Sequence, residues 1–378
     1  MAERRAFINA VAGAVPGHDV HRLFIDWAES RIEDPRLRKL FLRMAERSGI
    51  EHRWSVLPEP AGGGRPDFYK GASPPTSARM AVYAEAAPKL ALAAIERLRA
   101  QVPLDGVTHL VVASCTGFVA PGIDQIVARA LGLDGVERTL VGFMGCYAAV
   151  SALRTAHHIV RSEPQARVLA VTVELSSLHL QETQAIEPLL AMLQFSDGAA
   201  AALVSAEPDG LEMRHLFSIE LEQSAELIQW TIGDTGFEMT LSGEVPGRIQ
   251  HALGDEQVRA AVYNGWQADE IDSWAVHAGG RSILDAVEKG LALPQGALFA
   301  SRDVLARYGN MSSATLMFVL GELIDRPDVR RGIALAFGPG LAAEGFHFER
   351  ASRHESAATR PVRSEPAGGV EGAGERAR

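Results

Sequence analysis

Two segments of the sequence repeat one pattern, and this repetition limits the folds that the chain can adopt. In residues 145–167, a Gly-Cys pair begins an apolar stretch with helical spacing, and a strand pattern follows it. In residues 309–332, a Gly-Asn pair does the same over a nearly equal interval. We infer an internal duplication of a βαβ-type unit, which favours an α/β fold. Cys146 and Asn310 are then expected to face each other from equivalent helix N-termini.

Further apolar runs indicate that the rest of the chain follows the same plan of strands and helices. Helical periodicity over 21–48 is broken at Pro35, which predicts two helices there, and 78–101 predicts a long alanine-rich helix. Buried strands are predicted at 108–115, 137–144, 166–174, 198–208, 272–280 and 332–340.

Composition excludes several classes of function. The formal net charge of the 378 residues is −10, and the arginines form no basic stripe, so we expect no nucleic-acid partner. No apolar run approaches the roughly 20 residues that a membrane span requires. The two cysteines, Cys115 and Cys146, provide no disulfide framework, which fits a reducing, cytoplasmic environment. An anionic substrate would need a local group of arginines or backbone N–H groups.

Cys146 has two interpretations. Most unpaired cysteines are buried and inert, and this one precedes an apolar helix that belongs in a core. At a helix N-terminus, however, the helix dipole and the free N–H groups favour a thiolate, and the adjacent Gly145 lets a substrate approach closely. Taken alone, the segment supports a core side chain and a nucleophile equally.

His277 and Asn310 also lie at predicted element ends. His277 ends an apolar strand before a Gly-Gly pair, and Asn310 precedes a predicted helix, where it could simply cap the helix. A thiolate beside an imidazolium is a nucleophile at neutral pH, and the N–H groups of His and Asn can form an oxyanion hole. No metal-ligand spacing occurs, and His157-His158 fall inside the predicted buried helix.

Six ordered motifs carry a resemblance to a known family. They are GCYAAVSAL, WAVHAGGRSILDAVEKGL, YGNMSSATLMFVL, AFGPGLAAE, FSDGAAAALVSAEP and GEVPGRI. On these motifs the chain resembles the type III polyketide synthases over about residues 5–350. Members of that family are homodimeric enzymes that extend an acyl-CoA starter with malonyl-CoA.

The resemblance implies a thiolase fold, in which duplicated βαβαβαββ halves form a five-layered αβαβα core. The expected amino-terminal half is 1–205 and carries the nucleophile; the expected carboxyl-terminal half is 206–350 and carries the histidine and asparagine. The last segment, 351–378, lacks large apolar residues and is predicted to be disordered.

The resemblance also implies a mechanism. Cys146 would accept the starter and hold the growing chain, while His277 would keep the Cys146 thiol ionised. With Asn310, His277 would hydrogen-bond the malonyl thioester carbonyl and stabilise the enolate that decarboxylation creates. The enolate would then attack the acyl-Cys146 thioester, and the chain would finally cyclise. CoA thioesters serve as substrates, and the implied reaction uses no metal and no separate cofactor.

Several further positions acquire expected roles from the resemblance. Phe195 would stand between the CoA tunnel and the cavity, and Ala120 would reach the partner subunit's cavity. Arg43, Arg47 and Arg53 are candidates for the CoA phosphates, with Arg53 preferred. The remaining expected cavity residues are Cys115, His179, Trp230, Met239 and Ser312.

Departures from the plant pattern at these positions suggest fatty acyl-CoA starters and alkylpyrone or alkylresorcinol products. One alternative is a β-ketoacyl-carrier-protein synthase of the same fold, which would dock a carrier protein. A second alternative is a non-catalytic thiolase-fold scaffold, against which the intact set of Cys146, His277 and Asn310 argues. A cysteine hydrolase would need water at the acyl-enzyme, and an apolar cavity disfavours it.

Overall fold

The computed structural model describes residues 4–58, 66–71, 73–222 and 224–351. The predicted disordered tail therefore lies outside the described residues, apart from Ala351. The strands are β1 (Phe7–Ala14), β2 (His18–Asp19), β3 (Trp54–Ser55), β4 (His109–Ser114), β5 (Glu137–Gly142), β6 (Val168–Leu175), β7 (Asp197–Ser205), β8 (Leu211–Glu220), β9 (Ile228–Gly233), β10 (Gly236–Leu241), β11 (Ser273–Val276), β12 (Arg331–Phe337) and β13 (Ala342–Arg350). The helices are α1 (His21–Arg31), α2 (Pro35–Glu46), α3 (Thr76–Arg99), α4 (Ile123–Ala130), α5 (Ala148–Ser162), α6 (Ile186–Met192), α7 (Val245–Gly254), α8 (Glu256–Tyr263), α9 (Arg281–Gly290), α10 (Phe299–Tyr308) and α11 (Ser313–Ile324).

The predicted break at Pro35 separates α1 from α2. Pro35 occupies the first turn of α2, where its missing N–H costs no helical hydrogen bond. The Asp34 side chain caps this helix by accepting a hydrogen bond from the backbone N–H of Arg36 at 2.7 Å. The long alanine-rich helix is confirmed as α3.

The strand order of the main sheet displays the inferred duplication. Nine strands are hydrogen-bonded in the order β11-β12-β13-β8-β1-β7-β6-β4-β5. In the amino-terminal half, β4 and β6 are parallel, and β7 and β1 follow antiparallel. In the carboxyl-terminal half, β11 and β12 are parallel, and β13 and β8 follow antiparallel. The two halves join where the first residues of β1 pair with those of β8.

Three apolar clusters arrange these strands and helices in five layers. The central cluster packs α5 and α11 between the inner faces of the two half-sheets. A second cluster packs α3 and α4 on the outer face of the amino-terminal half-sheet. A third packs α7, α9 and α10 on the outer face of the other half-sheet. This αβαβα arrangement confirms the expected fold.

One expected element differs from the structure. The strand predicted at 137–144 forms as β5, but its side chains are mostly exposed, and Leu140 is 45% exposed. The strand pairs with β4 on one side and ends the sheet on the other, because no described strand lies beyond it. Of its apolar residues, Val141 packs against the central cluster, whereas Leu140 covers no part of this chain's core.

Candidate active site

Cys146 lies where β5 gives way to α5. A short 3₁₀ turn, Gly145–Tyr147, precedes the first residue of α5. Gly145 has a φ of +73°, and a Cβ atom built there would lie 2.4 Å from Cδ of Pro339. Glycine is therefore required, both for its backbone conformation and for its close approach to the Pro339 ring. The turn leaves Cys146 9% exposed, at the wall of a large cavity.

The start of α11 faces this cysteine. Ser312 has a φ of +49°, which is unfavourable for a residue with a side chain, and its hydroxyl forms no cap for α11. Instead the hydroxyl donates to Sγ of Cys146 at 3.7 Å and lies 3.3 Å from Sγ of Cys115. The expectation of a conventional Asn or Ser cap is therefore wrong, and the strained backbone places a hydroxyl between two sulfur atoms.

Asn310 connects the segments that carry Cys146 and His277. Its side-chain oxygen accepts a hydrogen bond from the backbone N–H of Ser312 at 2.8 Å. Its side-chain amide donates to the backbone carbonyl of Gly279 at 3.1 Å, two residues after His277. The backbone of Asn310 also exchanges hydrogen bonds with the segment around Phe195. These bonds fix the orientation of the amide group.

His277 follows β11 and is 2% exposed. Within the described part of the chain, neither of its ring nitrogens has a hydrogen-bond partner. Buried polar groups in proteins almost always have partners, so an unmatched ring is typical of a functional group that bonds a ligand. Burial lowers the pKa of His277 to about 4, so the ring is neutral at physiological pH.

The free site differs from the thiolate–imidazolium pair that the resemblance implies. Burial and the nearby Glu174 carboxylate raise the pKa of Cys146 to about 12, although the bond from Ser312 acts in the opposite direction. With His277 also neutral, both groups are uncharged before substrate binds. The physical reason is that a dry pocket penalises each charged form, and no hydrogen bond joins the two side chains.

Glu174 is a site residue that the motifs did not single out. It belongs to β6, is fully buried, and accepts hydrogen bonds from the backbone N–H of Cys115 at 3.0 Å and the hydroxyl of Thr116 at 2.8 Å. The hydroxyl of Ser313 and the thiol of Cys115 also donate to it. Burial raises its pKa. In the sequence, the signal that could have found Glu174 is a carboxylate inside the apolar run VLAVTVEL.

Most of the expected cavity residues do line the cavity. It encloses about 1230 Å³, counting the part open to solvent. Cys146 is joined there by Cys115, His179, Phe195, Trp230, Met239 and Ser312. Ala120 is elsewhere, in an exposed loop after β4, and its expected contact with a partner subunit stays a prediction.

A rigid group of rings, which we call the aromatic wall, forms one side of the cavity. His179 stacks on Phe237 with ring centroids 4.3 Å apart, and Trp230 stands edge-on to both rings. His179 bonds the carbonyl of Thr116 at 2.7 Å and accepts from the backbone N–H of Phe237 at 2.9 Å. The indole of Trp230 donates to the carbonyl of Cys115 at 2.7 Å. Every ring of the wall is thus packed or hydrogen-bonded.

Another part of the cavity, which we call the α1–α6 lobe, lies between two helices. Its surface is almost entirely apolar because the helices present hydrocarbon side chains to it. The lobe is lined by Val20, Leu23, Phe24, Trp27, Pro188, Ala191 and Met192.

Arg53 also lines the cavity, beside this lobe, and is only 3% exposed. Its guanidinium donates to the carbonyls of Met192 and Phe195, both at 2.9 Å, and lies over the ring of Phe24. Its Nη2 atom has no hydrogen-bond partner among the described residues, and the expected contact between Arg53 and a CoA phosphate stays a prediction. Arg43 and Arg47 are exposed, and their predicted role is untested.

Comparison with known families identifies the architecture. The model for chalcone and stilbene synthases, N-terminal domain, matches residues 1–208, and the C-terminal domain model of the same family matches residues 216–351. The chain belongs to the type III polyketide synthases. A relative from Mycobacterium tuberculosis (strain CDC 1551 / Oshkosh), named alpha-pyrone synthesis polyketide synthase-like Pks18, is 33% identical over 331 residues, with 84% of each chain covered.

Other type III polyketide synthases agree with this assignment. Bisdemethoxycurcumin synthase from Oryza sativa subsp. japonica is 33% identical over 342 residues, covering 82% of this chain and 83% of the relative. The crystal structure of PKS-I from the brown alga Ectocarpus siliculosus superposes with a TM-score of 0.83 at 27% identity, covering 92% and 98% of the two chains. Like its relatives, this enzyme is an acyltransferase of polyketide synthesis. Among its described residues, no helix is long and apolar enough to cross a membrane.

Proposed function

We propose that this type III polyketide synthase condenses a long-chain acyl-CoA starter with two malonyl-CoA units on Cys146 and releases an alkyl α-pyrone. The observation that carries the proposal is the shape of the cavity. Cys146 opens into a space with a rigid aromatic wall on one side and the apolar α1–α6 lobe in another part.

The chemistry starts with transfer of the acyl group to Cys146. The Cys146 sulfur attacks the starter thioester, its proton goes to the neutral His277 ring, and CoA leaves. The bond from Ser312 to the Cys146 sulfur stabilises the developing thiolate. Because the His277 ring is neutral before substrate binds and its nitrogens have no partner among the described residues, a ring nitrogen has a lone pair that can accept this proton.

Extension of the polyketide chain uses hydrogen-bond donors of the carboxyl-terminal half. Malonyl-CoA loses CO₂, and the negative charge that forms on its thioester oxygen is stabilised by N–H groups of His277 and Asn310. The enolate carbon then attacks the acyl-Cys146 carbonyl, forming a carbon–carbon bond and releasing the Cys146 sulfur. The extended chain is now a CoA thioester, and its transfer back to Cys146 with loss of CoA allows the second extension. Asn310 is held by Ser312 and Gly279, so its donor is oriented before the charge develops.

The aromatic wall supports a short polyketide. Each extension adds two carbons in the space beside Cys146, and His179, Trp230 and Phe237 fill part of that space with fixed rings. A triketide is the shortest chain whose enol oxygen can attack its own thioester to close a six-membered lactone. One starter and two malonyl-CoA then give one pyrone, two CO₂ and three CoA.

The α1–α6 lobe supports a long alkyl starter. Burying a methylene group contributes about 0.8 kcal/mol, so an apolar lobe favours a longer chain over an acetyl group. The name of the mycobacterial relative, which includes alpha-pyrone synthesis, agrees with this product class.

Three further expectations belong to this proposal. We propose a homodimer joined through β5, supported by an outer edge that no described strand borders and by the exposed Leu140. Exposed Arg43 and Arg47 are proposed to meet the CoA phosphates, and the cycle needs CoA thioesters but no separate cofactor. A cytoplasmic location is supported by the two free, buried cysteines.

The test is product identification by mass spectrometry with malonyl-CoA and a series of starters. The series runs from acetyl-CoA to hexadecanoyl-CoA and includes an aromatic acyl-CoA. We expect alkyl triketide pyrones, with kcat/KM rising along the series. Turnover of only short or aromatic starters would contradict the proposal.

A matched pair of variants on α6 locates the alkyl chain. Ala191→Phe places a ring in the lobe and should abolish use of the longest starters while keeping acetyl-CoA turnover. Glu187→Phe changes an exposed residue of the same helix and should leave the chain-length profile unchanged. Equal profiles in the two variants would place the alkyl chain elsewhere.

A further inference from the structure

Helix α2 exposes apolar side chains along one face. Leu37, Leu40 and Met44 are 39%, 41% and 43% exposed, and their spacing of three and four residues places them on the same side of the helix. Exposed apolar side chains are usually scattered singly, yet three of the seven large ones in the described part of the chain belong to this helix. We call these three side chains the apolar row.

A second row of exposed side chains, which we call the basic row, runs beside the apolar row. It consists of Arg36, Lys39, Arg43 and Arg47. These residues repeat the same spacing shifted by one position or less than one turn, so the basic row lies roughly 100° around the helix axis from the apolar row. None of the four has an ion-pair partner among the residues that the structure describes.

The charge of α2 is opposite to that of the whole chain. The formal net charge of the chain is −10, whereas residues 35–47 contain five basic side chains and a single acidic one, Glu46. The fifth basic residue, Arg38, is half-buried and donates to a backbone carbonyl, so the basic row carries the exposed charge. The exposed face of α2 is therefore suited to a partner that is both negatively charged and apolar.

α2 packs directly on the helices that form the α1–α6 lobe. Phe41 and Ala45, on its buried face, belong to one apolar cluster with side chains of α1 and α6. The residues that line the catalytic cavity include none from α2. The two rows therefore lie outside the substrate cavity, on a helix that supports its wall.

We propose that α2 docks this enzyme on an anionic membrane surface. The apolar row would enter the boundary between lipid headgroups and acyl chains, and the basic row would contact lipid phosphates. An acidic protein would meet the same charges, but protein interfaces are enriched in Trp and Tyr and depleted in Lys, whereas these rows expose Leu, Met, Arg and Lys. Docking through α2 would hold the α1–α6 lobe close to the bilayer.

The test is flotation of the whole protein with lipid vesicles in the absence of substrate. One set of vesicles contains phosphatidylcholine and phosphatidylglycerol, and the other contains phosphatidylcholine alone. At about 0.1 M salt we expect at least about 10-fold stronger partitioning onto the anionic vesicles, and this preference should be lost at about 1 M salt, where charges are screened. Equal partitioning onto the two sets, or no binding to either, would overturn the proposal.

A matched pair of double variants tests the basic row. Arg36→Glu with Lys39→Glu should lower partitioning onto anionic vesicles at least about 100-fold, because each basic residue near such a surface contributes about 5-fold. Arg129→Glu with Arg259→Glu changes the net charge of the chain equally, at exposed positions of α4 and α8, and should keep most of the binding. Arg43 and Arg47 stay unchanged because they are proposed to meet CoA. Equal losses in the two double variants would mean that overall charge, and not α2, controls binding.

A second matched pair tests the apolar row. Leu37→Ser with Leu40→Ser should weaken partitioning about 10-fold or more, whereas Ile232→Ser with Phe299→Ser, at exposed positions of β9 and α10, should not. If both pairs bind as wild type does, α2 does not insert and the proposal fails. Capture of an acidic protein by α2 without vesicle binding would also overturn it. The comparison of vesicle compositions uses wild type alone, so it decides the proposal even where a variant does not fold. Because no substrate is present, none of these results depends on which polyketide the enzyme makes.

Discussion

The amino-terminal and carboxyl-terminal halves follow one strand plan, yet the helix at the centre of each half begins differently. α5 begins after a 3₁₀ turn that presents the sulfur of Cys146. α11 begins after a strained serine whose hydroxyl faces the Cys146 sulfur and an asparagine whose amide is held by the backbone of Ser312 and Gly279. The duplication thus supplies two equivalent positions facing one cavity, and the sequence places a nucleophile at one and hydrogen-bond donors at the other.

This difference assigns different steps to the two halves. The amino-terminal half should be needed only where the chain is held on sulfur. The carboxyl-terminal half should be needed wherever negative charge develops on a thioester oxygen. Variants of each half can therefore separate decarboxylation from condensation.

The largest effect is expected from Cys146→Ala. Without the sulfur no acyl-enzyme forms, and pyrone formation should fall by roughly 10³-fold or more. Decarboxylation of malonyl-CoA should continue, because His277 and Asn310 are intact. Pyrone is measured by mass spectrometry and CO₂ release by labelled malonyl-CoA. As a control, Cys115→Ser should still give an acyl-enzyme of the expected mass. If Cys146→Ala formed as much pyrone as wild type, the two halves would not divide the steps in this way.

Asn310→Ala tests the other half. Loss of an oriented donor to a developing oxyanion costs about 10²- to 10³-fold in rate, and here both decarboxylation and condensation should fall together. His251→Ala, an exposed histidine on α7, is the control and should leave both rates unchanged. A variant that decarboxylated normally but failed to condense would place Asn310 in the wrong step.

The halves also differ at their edges, and this difference predicts the assembly. β5 borders β4 in the amino-terminal half, whereas no described strand borders β11 at the corresponding position. Leu140→Lys should convert a dimer largely into monomer in analytical ultracentrifugation, because a lysine on a paired edge opposes strand pairing. Leu37→Lys, which replaces an equally apolar exposed residue on α2, should stay dimeric. A Leu140→Lys protein that remained dimeric would exclude β5 as the interface.

Much of this organisation could be predicted from the sequence, because periodicity and spacing report local structure. The duplication was visible in the segments that begin at Gly145 and Gly309, whereas the five layers were implied by the family resemblance. The exposure of β5 was not visible, since an apolar run such as Leu140 to Met144 looks the same whether its own chain or a partner covers it. Ser312 was expected to line the cavity, but its backbone strain depends on contacts distant in sequence. Glu174 and Phe237 act through neighbours that only the fold brings together.

Trp230→Gly tests the aromatic wall. The wall combines Trp230 and Phe237, from the hairpin of β9 and β10, with His179 of the amino-terminal half. Removing the indole opens space beside Cys146, so longer polyketides should appear and the triketide fraction should fall about several-fold, with total turnover changed less. Gln229→Gly, at the neighbouring exposed position of β9, controls for loss of strand propensity. An unchanged product distribution in Trp230→Gly would show that the wall does not limit extension.

The last difference between the halves concerns stability in acid. Burial lowers the pKa values of His21, His157 and His179 in the amino-terminal half, and of His277 in the other, each to about 4; it also lowers the pKa of His347 in the carboxyl-terminal half. Unfolded histidine titrates near 6.5, so the unfolded chain binds more protons between about pH 6.5 and 4. The free energy of unfolding should therefore be constant above about pH 7 and fall as the pH is lowered, by roughly 1–2 kcal/mol per histidine at pH 5. Urea unfolding measures the total loss in the free energy of unfolding. Hydrogen exchange at pH 5 should show the larger loss of protection in the amino-terminal half. If both halves lost hydrogen-exchange protection equally, the buried histidines would not set a different acid stability for each half.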